Sequence, residues 1–311
     1  MKKLLLTVMI FAICMSAWPQ EKLTFVSVWP PGTGTDVQLR QLAAAWETFN
    51  GTGTTMVLNR PGADGLIAAR AALEIAARGQ SVIYAPSSGH MTTLPDEEFN
   101  KFTALVEMTR QPLAIIARKN LPVNNWKELA ALVESQPGKI SVGLASGITQ
   151  AFAYETERRN KLKFNKIYYS TMGNGSLATT ALASNSLDLF VVPASIGFME
   201  SYLAISKVIT IADSTRIPGV DDTVFVGNDP KVSTWLVRTG LFVSNSMDAK
   251  IKQSLNSKLV DIMKSPEIQS KWESKAITVT ANKSVDEYQS YVVNSRQYWH
   301  KNKDTILKDY Q

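Results

Sequence analysis

The 311-residue chain holds a single cysteine, Cys14, and only two histidines, His90 and His300. One cysteine excludes an internal disulfide, so the fold must rest on an ordinary apolar core. Two distant histidines, no H-E-x-x-H and no second cysteine leave no donor set for a structural or catalytic zinc ion. The first strand-turn segment lacks the G-x-G-x-x-G spacing of a dinucleotide site. No G-x-S-x-G nucleophile elbow occurs either; in "GLASG" (143–147) the serine falls one place too late. Beyond the N-terminal segment, no apolar run is long enough to span a bilayer, and no basic tract points to nucleic acid.

What is present begins with "MKKLLLTVMIFAICMSA", two lysines followed by an apolar run ending in small residues. This pattern reads as a secretory signal peptide over 1–17. A lipoprotein reading of Cys14 needs a small residue before it, and Ile13 is not small. Removing Lys2 and Lys3 with the leader lowers the net charge from +6 to +4. The expected product is an exported, soluble protein, with the bacterial periplasm as its compartment.

The remainder alternates strand and helix patterns. "KLTFVSVW" reads as a strand, and Leu39, Leu42, Ala43 and Trp46 then recur at helical spacing. Further strand-helix pairs are "TTMVLN" with "GLIAARAALEIAARG", and "KISVGLAS" with "TQAFAYETERRN". "PLAIIARK", "LDLFVV" and "SKVITIADS" read as strands, and "NNWKELAALVES" as a capped helix. Two amphipathic helices close the chain. Repeated strand-helix units predict an α/β protein with parallel or mixed sheets, and their number calls for two lobes.

The stretch "WPPGTGTD" (29–36) looks like a phosphate-binding loop without its lysine: Thr35 stands at that place. An exported protein meets little ATP, and no acidic magnesium motif follows. The shared physics is a Gly-rich turn feeding a helix N-terminus, which offers backbone N–H groups and the positive end of a dipole to an oxygen anion. Thr33 and Thr35 add hydroxyls, and Asp36 is placed to cap the helix. Similar hydroxyl- and glycine-rich loops recur at "YAPSSGHMTT" (84–93), "GLASGITQAF" (143–152) and "YYSTMGNGS" (168–176). In open α/β sheets ligands sit at the C-terminal ends of strands. Many N–H and hydroxyl donors there, with few acids or bases, point to binding and not to catalysis.

The order of these segments resembles the substrate-binding receptors of tripartite tricarboxylate transporters, the Bug receptors. "VWPPGTGTDVQLRQLA" resembles the family's first loop and helix, and "VLNRPGADGLIAA" its Asn-Arg-Pro-Gly-Ala-Gly-Gly segment. "QPGKISVGLASGITQ", "LDLFVVP", "ADSTRIPGVDDTVF" and "STWLVRTGLFV" follow in family order. The resemblance implies a two-lobe α/β periplasmic binding protein (Venus-flytrap) fold closing on a small ligand, often a carboxylate, for delivery to membrane transporter subunits. It places the first clamp at Thr33, Gly34 and Thr35 and the second at Ser146, Gly147, Ile148, Thr149 and Gln150. Ser87 and Ser88 form the floor, and Val192 lies where relatives carry a polar residue facing the ligand. Thr33 replaces a usual glycine, and Ala151 and Phe152 occupy the place of a usual histidine. Asn59 and Arg60 have a structural reading, fixing a loop, and Trp235 is a candidate for the cleft.

Lobe 1 is expected over 20–116 plus 236–311 and lobe 2 over 117–235. The expected function is solute capture by a monomer, without cofactor, metal, catalytic residues or nucleic acid. The alternatives are an exported serine hydrolase built on Ser87 or Ser146 with His90, and a receptor feeding a signalling partner.

Overall fold

In the computed structural model, each lobe is built on three parallel strands. The structure describes residues 22–50, 54–144, 147–169, 175–194, 202–211, 236–273, 278–280 and 285–308. The expected signal peptide, Cys14, Ser146, Trp235 and the 212–225 segment lie outside them. In the first lobe β1 (Leu23–Ser27) pairs in parallel with β2 (Thr55–Asn59) and β3 (Val82–Ala85). In the second, β5 (Ser141–Leu144) pairs in parallel with β6 (Asn165–Tyr168) and β7 (Leu189–Pro193).

One long strand joins the two sheets. β4 (Phe102–Arg118) runs antiparallel to β9 (Leu236–Ser244) from Phe102 to Pro112 and, near Thr109, to β10 (Thr278–Val279). From Leu113 onward its partners are β7 and β8 (Ser206–Ile211). The change of partner at Pro112–Leu113 precedes the 116/117 break read from sequence. Only the second half of β4 showed as a strand pattern, because "FTALVEMTRQ" mixes polar and apolar residues without strict alternation. Two ladder irregularities, between Ala104 and Val106 and between Glu107 and Thr109, account for the lost period.

Helices cover both faces. α1 (Gly34–Asn50) and α2 (Leu66–Ala77) flank the first lobe, and short helices α3 (Ser88–Thr93) and α4 (Asp96–Phe99) follow β3. α5 (Trp126–Ser135), α6 (Gly147–Asn160) and α7 (Gly175–Ala183) cover the second lobe. α8 (Ala249–Met263), α9 (Pro266–Glu273) and α10 (Val285–Lys308) return to the first. Asn125 caps α5 by accepting the Glu128 N–H at 3.0 Å, and Asp248 caps α8 through the Lys250 and Ile251 N–H groups. Leu39, Leu42 and Trp272 share the first-lobe core with Phe25 and Ile83. Trp126, Leu129 and Phe152 pack on Ile115, Val142 and Val191 in the second.

Asp188, before β7, ties three strands together. Its carboxylate accepts the Ser141 N–H (2.9 Å) and hydroxyl (2.8 Å) and pairs with Arg118 at 2.8 Å. Burial pushes this carboxyl up, but the Ser141 bonds and the Arg118 charge together hold it below its ordinary value. A depressed carboxylate contributes stability above its unfolded pKa, and that stability fades as pH falls through the folded value. Asp188→Asn is therefore expected to destabilise the protein by about 2 kcal/mol at neutral pH. The gap between the two melting curves should shrink on acidification below the normal carboxylate range; a gap that widens would contradict the assignment.

Candidate ligand-binding site

The C-terminal ends of β1 and β3 open toward the same edge of the first lobe. After β1, the turn "WPPGTGTD" enters α1, and its shape is fixed from within. Asp36 accepts the Gly32 N–H at 2.8 Å, Arg40 Nε at 3.0 Å and Asn59 Nδ2 at 2.7 Å. Asn59 Nδ2 also donates to the Trp29 carbonyl (2.9 Å). Burial raises the Asp36 carboxyl, and the Arg40, Asn59 and Gly32 hydrogen bonds outweigh it, leaving it low. Asp36 was expected to cap the helix; it lies inside the first turn and reaches back to the loop instead. Asn59 has the structural role anticipated for it, while Arg60 is exposed.

Thr33 closes the turn. Its hydroxyl donates to the Pro30 carbonyl at 2.9 Å, so that proton is already committed. Gly34 is exposed and Thr35 half-buried at the start of α1, where the leading N–H groups have no intrahelical acceptor. Asp36→Ala should release the turn from α1 and β2. The expected results are a stability loss of about 1–3 kcal/mol in thermal melts and weakened ligand affinity. A variant with unaltered melting would show that the carboxylate does not organise the loop.

Ser87 and Ser88 are buried after β3. Ser87 starts α3 with a capping box: its side chain accepts the His90 N–H, and the His90 ring accepts the Ser87 N–H. Ser87 Oγ lies 2.7 Å from His90 Nδ1. The Ser88 hydroxyl accepts the Arg238 N–H of β9 at 3.3 Å. Trp29 meets His90 edge-on, with ring centres 4.9 Å apart, so the first loop and α3 share one wall.

The second lobe approaches this wall with the first turn of α6. Gly147, Ile148, Thr149 and Gln150 are all buried. A Cβ added at Gly147 would lie 2.8 Å from Thr93 Cγ2, and one at Gly89 would lie 3.4 Å from Ile148. α3 and the start of α6 thus touch across the lobes, which brings Ser87–Ser88 and Gly147–Gln150 near one another. Val192 does not join them. It is packed with Ala114, Ile116, Ala178 and Leu182 in the second-lobe core, against the expectation that it faces a ligand. Its apolar partners on β4 and α7 explain the valine.

Sequence reasoning missed three contributors. α10 crosses both lobes: Arg296 donates to the Met91 (3.1 Å) and Thr92 (3.2 Å) carbonyls, and the Tyr298 hydroxyl donates to Glu155 of α6. Its Tyr291 and Trp299 line a small cavity with Ser88, Gly147, Ile148 and Ala151. Arg238, paired with Glu107 at 3.3 Å, lies over the Tyr291 ring. Asp64, before α2, acts electrostatically on His90 and on Tyr168 of the second lobe. Burial pushes His90 down to about 4, which Asp64 partly opposes, and pushes Tyr168 up to about 12, which Asp64 reinforces. A helical "VDEYQSYVVNSRQYWHKN" gave an apolar stripe but no sign of which lobe each turn would touch.

Two parallel-stranded lobes, a shared crossing strand and facing helix starts define a two-lobe solute-binding protein. Residues 39–306 match the family described as Tripartite tricarboxylate transporter family receptor, and the chain belongs to that family. Protein BugT of Bordetella pertussis is 23% identical over 299 residues, which span 92% of this chain and 90% of that protein. Among solved structures, MatC from Rhodopseudomonas palustris with bound malate has a TM-score of 0.73 at 21% identity, covering 91% of this chain and 99% of the other. Rpa4515 of R. palustris with adipate has a TM-score of 0.75 at 18% identity, covering 94% and 98%. No helix among the described residues is long and apolar enough to cross a membrane.

Proposed function

We propose that this receptor captures a small organic carboxylate in the periplasm and delivers it to the membrane subunits of a tripartite tricarboxylate-type transporter. The observation that carries this reading is the meeting of α3 with the N-terminal turn of α6 across the lobes. The α6 start presents N–H groups and a positive dipole end to an anion, and Gly34 and Thr35 at the start of α1 offer the same from the first lobe. Ligand oxygens exchange water for these donors, and closure is favoured by the contacts made only when both lobes engage. Malate and adipate bound to the two structural relatives support a carboxylate guest. The leader-like N-terminal segment supports export.

The Ser87–His90 contact does not favour a hydrolase. It is the helix cap itself, and among the described residues His90 Nε2 has no hydrogen-bond partner to orient the ring as a base. Calorimetric titration of the mature protein with mono- and dicarboxylates tests the proposal. Saturable binding of at least one, abolished by disrupting either the 32–36 turn or the 147–150 turn, is the expected result. Absence of binding across the series would overturn it.

A further inference from the structure

His90 and Trp29 are not used by the carboxylate clamp, yet both hold a buried nitrogen with no hydrogen-bond partner among the described residues: His90 Nε2 and Trp29 Nε1. Burying a polar group without a partner is costly, so such groups call for one. The proton on His90 can be assigned. The Ser87 backbone N–H can only donate, and it is directed at His90 Nδ1 (3.4 Å). Nδ1 is therefore the acceptor. Burial keeps the ring neutral at ordinary pH, and a neutral imidazole that accepts at Nδ1 carries its proton at Nε2. The Trp29 indole nitrogen is a donor only. Two orphan N–H donors thus sit on touching rings, 4.9 Å between centres, where the first loop meets α3.

Neither donor is charged, and Asp64 brings a negative charge within electrostatic reach of His90. A second carboxylate placed there would meet that charge with no cation from the imidazole to offset it. A neutral carbonyl oxygen accepts an N–H hydrogen bond without this repulsion. We infer that Trp29 and His90 form a specificity subsite for an uncharged carbonyl oxygen at the far end of the ligand, so that the guest is a monocarboxylate bearing an amide or ketone. This inference rests on the carboxylate-receptor reading above and narrows its ligand class.

The test uses monoacid, half-amide and diacid of equal chain length, from four to six carbons, titrated into the mature protein at neutral pH. For at least one length, the half-amide should bind about 10-fold or more tighter than both the monoacid and the diacid. Trp29→Phe should collapse that preference; it leaves the Ser87–His90 cap intact, unlike a change at His90. The Trp29 indole N–H resonance, assigned by its loss in that variant, should shift on adding the half-amide. A diacid that binds tightest, or a half-amide no better than the monoacid at any length, overturns the subsite while leaving the carboxylate reading standing. If none of the acids binds, the carboxylate reading falls and the subsite with it.

Discussion

Gly240→Ala is expected to cost about 3 kcal/mol and to lower the melting temperature by about 6 °C. Gly240 lies mid-strand in β9, and an added Cβ would fall 2.2 Å from the Tyr288 ring and hydroxyl. Tyr288 is fully buried and packs on Phe242, with ring centres 5.6 Å apart, so it has no solvent side to retreat into. The ring must move, and α10 must move with it. A glycine in a strand interior marks such a close approach. Tyr288→Leu in the same chain should recover part of the loss, a coupling that only touching residues show. An unaltered melting temperature for Gly240→Ala would mean that α10 is not seated on β9 as described.

The second large effect concerns affinity. Gly147→Val is expected to weaken ligand binding by roughly 5- to 150-fold, equivalent to about 1–3 kcal/mol of overpacking. Its side chain would collide with Thr93 Cγ2, 2.8 Å from the Cβ position, and crowd Trp299. Under the closure proposed above, these contacts form as the second lobe docks on α3 and α10. The cost therefore falls on the closed state, and apparent affinity drops with its population. Titration calorimetry beside a thermal melt separates the two consequences: affinity should fall while the melting temperature moves little. Affinity equal to that of the unsubstituted protein would place the closing surface elsewhere.

The fold was legible in the sequence where local rules sufficed. The Asn125 cap and the strand "LDLFVV" both follow from spacing and cap chemistry. The first half of β4 was not, because its irregularities scramble the period-two signal. Ser87–Ser88 and Gly147–Gln150, singled out because hydroxyls and glycines after strands suit ligand oxygens, lie on the two facing helices α3 and α6. His90 entered the sequence reading only as the base of a hydrolase, since nothing local shows that its ring would be buried against Trp29. Val192 was misplaced because a strand buried on both faces leaves no mark of which side faces a cleft. The role of α10 was hidden for a similar reason: a helix stripe reports that a face is buried, and only tertiary structure reports against what.

The central claim is that the turn after β1 and the first turn of α6 engage one ligand together. Hydrogen-exchange protection, compared with and without a bound carboxylate, tests it most directly. Exchange should slow at once in residues 32–37 and 147–152, while the outer helices α5 and α8 keep their rates. Protection confined to one lobe, or appearing at neither turn in the presence of saturating ligand, would contradict the account.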